Sequence, residues 1–189
     1  MDLKELRKYW ECIRGEYDTL PSDVFISEEP RPTGMWEGSD SMNEVITKYG
    51  NGGCGWLKGG QDHVRDSWIS WPLIWEGNPV VGNCGMCPKT SELLSKIKGG
   101  IHIAGFSLMK GGVKLNKHFD HVGKNYKFTY HLGLKCPSGC TLYHDTLGDV
   151  SEEDGKHIVF NARVPHWAEN TSNEDRVILY MESYANSSA

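Results

Sequence analysis

From Tyr126 to Leu134 the chain alternates strictly: Tyr126, Phe128, Tyr130, Leu132 and Leu134 take every second position, and Lys127, Thr129, His131 and Gly133 fall between them. A period of two belongs to an extended strand, where successive side chains point to opposite faces. A helix would scatter those aromatic and aliphatic groups around its circumference. One face of this strand is therefore apolar and the other polar, and the polar face turns inward if the interior holds a charged ligand rather than packed side chains.

The same reading recurs through the second half of the chain. Ile101–Met109, Gly139–Tyr143, Lys156–Phe160 and Arg176–Glu182 are short strand candidates separated by Gly, Pro and Asn. Such a series points to a β-sandwich or jelly roll. The front third differs. Leu3, Leu6, Tyr9, Trp10 and Ile13 recur at helical steps over residues 3–18, and a short helical run follows near 41–49. Residues 67–81, with Trp68, Trp71 and Trp75, are expected to pack against the core. Leu93, Leu94 and Ile97 share a face of a helix over 90–97, with Thr90 or Ser91 as its cap and Gly99-Gly100 as its stop. At 189 residues, one domain mixing N-terminal helices with a mainly β remainder is expected.

A net charge of −5 argues against non-specific nucleic-acid binding. No segment approaches the roughly 20 apolar residues needed to span a bilayer, and the charged N-terminus lacks an export signal, so a cytoplasmic protein without stable membrane association is expected. In that setting Cys84/Cys87 and Cys136/Cys140 read as free thiols, with a structural zinc site as the rival.

Chemistry concentrates at the strand ends. His118-Phe-Asp120 places an imidazole and a carboxylate two positions apart, on one face of an extended segment. His166 supplies a second imidazole at a strand edge. Two histidines and one carboxylate form the facial triad that leaves metal positions open. His121 and His144 are alternative ligands. Arg176, at the start of the last strand, carries a fork suited to a carboxylate; its bland alternative is a surface pair with Glu174 or Asp175.

These residues sit within a longer ordered series: Gly105-Phe-Ser-Leu-Met-Lys-Gly-Gly112, His118-Phe-Asp120, Tyr130-His-Leu-Gly-Leu134, His166-Trp-Ala-Glu-Asn170 and Asp175-Arg-Val-Ile-Leu179. The series resembles the aspartyl/asparaginyl β-hydroxylase family of 2-oxoglutarate oxygenases. The segments Trp71-Pro-Leu-Ile74 and Cys87-Pro-Lys-Thr-Ser-Glu-Leu-Leu94 are similar to the start of that catalytic domain, so the resemblance covers residues 67–184, and residues 1–66 form an N-terminal packing region. It implies a cupin-like double-stranded β-helix that uses Fe(II) and 2-oxoglutarate to hydroxylate a small-molecule or peptidyl substrate with O2. It also implies His118, Asp120 and His166 as iron ligands, and Ser107, His131 and Arg176 as contacts to 2-oxoglutarate. Two departures stand out. The animal protein-hydroxylating members carry Gly where this chain has Asp120, so the triad resembles that of the bacterial branch that includes lipid A acyl-chain hydroxylases. Thr129 replaces an arginine, which puts rearranged co-substrate contacts at Thr129 and Lys127. The rival from another class is a non-catalytic jelly-roll binding module with structural zinc.

Overall fold

The computed structural model describes residues 1–28, 40–120 and 122–184. His121 lies outside them. Helices α1 (Leu3–Leu6) and α2 (Trp10–Tyr17) open the chain, joined by a 3-10 turn, and α3 (Asp40–Gly50) follows. Strands β1 (Leu57–Lys58), β2 (Trp68–Trp75) and β3 (Asn78–Pro79) lead to α4 (Val81–Met86) and α5 (Pro88–Ser95). The remainder is β4 (Gly100–Met109), β5 (Tyr126–Lys135), β6 (Cys140–His144), β7 (Gly148–Ser151), β8 (His157–Phe160), β9 (His166–Asn170) and β10 (Arg176–Tyr184).

The strands form two antiparallel sheets. The larger runs β1-β2-β4-β10-β5-β8, with β3 beside β2; the smaller runs β7-β6-β9. The last strand lies between β4 and β5, so the chain closes by inserting its end into the middle of the large sheet, and the architecture is a mainly β, cupin-like jelly roll with N-terminal helices.

Alternation assigns the two faces of the large sheet. Trp71 and Leu73 of β2, Ala104, Phe106 and Leu108 of β4, Tyr130, Leu132 and Leu134 of β5, and Val177, Leu179 and Met181 of β10 share one buried cluster with Leu6 and Ile13 of the helices. Burying each Val, Leu, Ile, Phe or Met among them stabilises by roughly 1.5–3 kcal/mol, which fixes both the strand register and the docking of α2. The opposite face turns toward the small sheet: Met109 packs with Ala168 of β9, and Phe160 with Leu142 of β6. On that inner face Ser107, Thr129, His131, Arg176 and Glu182 are all buried. The polar side of the Tyr126–Leu134 alternation does turn inward, except that Lys127 is exposed.

One local expectation holds in a more definite form and one changes. The segment around Trp68, Trp71 and Trp75 is a full strand of the large sheet. Helix α5 begins at Pro88, and its cap comes from neither Thr90 nor Ser91. Instead Glu16 of α2 accepts from Lys89 N and Thr90 N, each at 2.7 Å, and from the Thr90 hydroxyl at 2.6 Å.

Candidate metal centre

His118 and His166 are brought together by main chain. The two residues form an isolated antiparallel bridge, His118 N donating to His166 O at 2.9 Å and His166 N to His118 O at 2.8 Å. Their rings lie 4.6 Å apart. The extended conformation at this bridge turns Phe119 outward, 53% exposed, while His118 and Asp120 are partly buried. Asp120 is fixed by its own N–H, which donates to Ala162 O at 2.8 Å. The ligand atoms of His118, Asp120 and His166 all lie within 4.8 Å of one another.

The hydrogen bonds set the tautomers. His118 Nδ1 is 2.7 Å from Asn116 O, and His166 Nδ1 is 2.9 Å from Val164 O. A carbonyl only accepts, so each Nδ1 carries a proton and Nε2 is the nitrogen that the neutral ring would offer to a metal. Backbone support of this kind orients metal-ligating histidines. Burial lowers the pKa of His166, which keeps the ring neutral, the form that a metal needs. Two imidazoles and a carboxylate on one side of a shared point suit a divalent transition metal such as Fe(II) and would leave its opposite side open.

Among the described residues, His144, His102 and His157 are engaged without a metal. His144 lies opposite His166 across β6 and β9, but its Nε2 donates to Asn161 O and its Nδ1 accepts from Thr146 N and Leu147 N. Both ring nitrogens are engaged, so His144 is a structural residue. His102 packs on Tyr184 and His157 stacks on Tyr130.

Behind the triad is a buried ionic cluster. Phe160 bridges the two regions, 5.2 Å from the His166 ring and 4.9 Å from the His131 ring. Arg176 is buried, so the surface pairing with Glu174 or Asp175 is replaced. Its partner is Glu152: Arg176 Nε donates to Oε2 at 2.6 Å and Nη2 to Oε1 at 3.0 Å. His131 Nδ1 donates to the same Oε1 at 3.0 Å. Burial by itself would raise the Glu152 carboxyl, but the Arg176 charge and the His131 hydrogen bond outweigh it and hold it down to about 2. Arg176 Nη1 is buried with no hydrogen-bond partner among the described residues. Ser107, across β4 from Ile178, accepts from Trp68 Nε1 at 3.2 Å and keeps its hydroxyl proton free to donate. Thr129, opposite Glu182, shares a 2.9 Å hydrogen bond with Tyr126.

The expected co-acid contacts are thus gathered on one wall, and they fit a carboxylate in part. Nη1 is an unfilled donor, whereas the Nε–Nη2 edge and His131 are held by the chain's own carboxylate. Glu152 is the site residue that sequence reasoning missed. Glu152-Glu153-Asp154 reads as an exposed acidic turn, and nothing local marks its first member as buried. What brings it in is Gly133: a Cβ there would lie 2.1 Å from Glu153 O, so only glycine lets that turn rest against β5.

Zinc finds no support in the thiols. Among the described residues, the triad is the one group of three or more His, Cys, Asp or Glu side chains close enough to share an ion. Cys84 Sγ donates to Leu73 O and Cys140 Sγ to Asn170 Oδ1. Burial pushes Cys87 up to about 12 and Cys140 to about 11, so both remain protonated thiols.

The family model for aspartyl/asparaginyl beta-hydroxylase matches residues 7–185. The human aspartate beta-hydroxylase domain-containing protein 2 is 28% identical over 138 residues, covering 59% of this chain and 36% of the human one. Its rat counterpart is 27% identical, with 59% of this chain and 39% of the relative covered. The chain therefore spans well under half the length of these relatives. Among solved structures, a DMSP lyase is similar at TM-score 0.49 and 11% identity over 98% of this chain and 91% of that one. A cupin-superfamily sugar phosphate isomerase from Silicibacter pomeroyi is similar at TM-score 0.42 and 10% identity, covering 70% and 72%. At that level they add nothing to the strand order described above. The family match spans nearly the whole chain, including both segments that carry the histidines: this protein belongs to the aspartyl/asparaginyl β-hydroxylase family.

Proposed function

We propose that the chain is an Fe(II)- and 2-oxoglutarate-dependent hydroxylase acting on an unactivated carbon, with the β-carbon of an aspartyl or asparaginyl residue or a related amino acid as the leading substrate class. The observation that carries this reading is the convergence of His118, Asp120 and His166 on one point, with Nδ1 of each histidine held by a backbone carbonyl so that Nε2 faces the others. When bound, iron and 2-oxoglutarate would supply the oxidising chemistry with O2 as oxidant, one oxygen atom going to succinate as the co-acid loses CO2 and the other to the substrate's new hydroxyl. The chain's own part is to hold and shield. His118, Asp120 and His166 would fix the metal from one side. Arg176 would present Nη1, and Ser107 its hydroxyl, to the distal carboxylate of the co-acid. Phe160, in edge-on contact with the rings of both His166 and His131, packs against both parts of the site.

The test is direct. His118→Ala should abolish iron-dependent succinate formation from 2-oxoglutarate, and turnover equal to the parent protein would remove His118 from the site. A second reading keeps the metal and omits the co-acid; the Glu152–Arg176 pair favours it, because that pair engages the arginine without any ligand. Binding of 2-oxoglutarate to the metal-loaded protein separates the two.

A further inference from the structure

Three donors that a small carboxylate would use are already taken by a side chain of the protein. The His131 Nδ1–H and the Nε–H and Nη2–H of Arg176 all end on Glu152, within 2.6–3.0 Å. All three residues are buried, so the pair is poorly screened, and a second carboxylate beside Glu152 would bring two negative charges to one guanidinium. We propose that Glu152 is an internal occupant of the acid-binding corner, which an incoming diacid must displace to bind, and that this exchange sets which acids the site accepts. The proposal rests on the reading of the site as one that takes 2-oxoglutarate.

The geometry supplies a route for the exchange. Arg176 Nη1 is the one guanidinium nitrogen left without a partner among the described residues, so it offers an entering carboxylate its first hydrogen bond. Nη2 can then pass to the newcomer as Glu152 withdraws. Glu152 also has somewhere to go. It borders a cavity of about 300 Å3 lined in part by His131, Lys156 and His157, and also by Asp149 and by Glu153, which pairs with Lys156 at 2.6 Å. The backbone around Glu152 is held in place, by Glu152 N to Cys140 O at 3.0 Å on one side and by Gly155 N to Gly133 O and Gly133 N to Lys156 O at 2.9 Å on the other, so the exchange is a swing of the Glu152 side chain alone.

The consequence is selection. A tethered carboxylate competes at an effective concentration on the order of millimolar or higher. An acid that offers only carboxylates to this corner is excluded below that level. A 2-oxo diacid can overcome it, because its other end is also held at the metal. By the same competition a product diacid without the 2-oxo group is expelled as Glu152 returns.

The experiment compares binding rather than turnover. Calorimetry on metal-free protein with succinate as the probe should show at least tenfold tighter binding in Glu152→Gln than in the parent chain. The zinc-loaded proteins should show a gain of similar size for 2-oxoglutarate. Equal or weaker succinate binding in the variant, or none in either protein, overturns the proposal. Should Glu152→Gln fail to fold, the parent chain still decides: its Arg176 Nε–H resonance, assigned by its loss in Arg176→Lys, should move when 2-oxoglutarate saturates the zinc-loaded protein. A resonance that stays in place means that Glu152 never leaves, and overturns it. Failure of the oxygenase reading looks different, since diacids would then bind and exchange without any iron-dependent succinate formation.

Discussion

At the scale of single residues, the inner face holds a second acid besides Glu152, with the opposite electrostatics. Glu182 of β10 accepts from the Tyr180 hydroxyl at 2.7 Å, yet burial pushes its carboxyl up from 4.5 to about 7, with the nearby charge of Asp120 adding to the effect. A carboxyl whose folded pKa is raised is comfortable in the protonated fold. Its stability is fully present below pH 4.5 and is lost as pH rises toward 7, because the unfolded chain releases its proton first. Metal-free protein should therefore lose up to about 3 kcal/mol across that window. Glu182→Gln should flatten the profile and be the more stable form at pH 8, as read by urea denaturation at a series of pH values; an unchanged slope would mean that Glu182 does not titrate there. Glu152 works the other way: its contribution is present above pH 4.5 and is lost only in strong acid. The triad was legible from residue spacing, whereas neither buried acid was. A carboxylate in a sequence gives no sign of whether water or a guanidinium surrounds it.

Among the elements, the strands of the second half follow from their alternation, but the helices depend on one another. Helix α5 has no side-chain cap of its own. Glu16, from an element more than 70 residues away in sequence, satisfies two of its first N–H groups and the Thr90 hydroxyl. This ties α5 to α2 and, through Ile13, to the outer face of the large sheet. Glu16→Ala should cost about 1–2 kcal/mol of stability, as capping losses do, with Glu16→Gln recovering part of it; urea unfolding curves would show the difference. Capping was misread because an N-cap is a rule about neighbours in sequence, and this one is a neighbour in space. Strand β7 escaped notice for a related reason. Gly-Asp-Val-Ser is too short and polar to alternate visibly, and it becomes a strand by pairing with β6.

For the whole molecule, the metal should couple to stability. The triad joins β9 to the segment before β5, so an ion bound there favours the folded chain by RT ln(1 + [L]/Kd), about 2.7 kcal/mol at a hundredfold excess over Kd. Adding Mn(II) or Zn(II) to chelator-treated protein should raise the melting temperature, and His166→Ala should remove the increase. An increase that persists in His166→Ala would locate the metal elsewhere. Among the described residues, no helix is long and apolar enough to cross a membrane.

By itself the sequence determined the period-two strands, the apolar face that the helices cover, and the His-x-Asp and distant His that share an edge. These are local or periodic properties, set by side-chain direction along an extended backbone. Tertiary structure alone decided what faces Arg176. The close approach permitted by Gly133 carries an acidic turn over β5 and lodges Glu152 against the guanidinium, and no rule of spacing links residues 133, 152 and 176 until the sheets have closed around them.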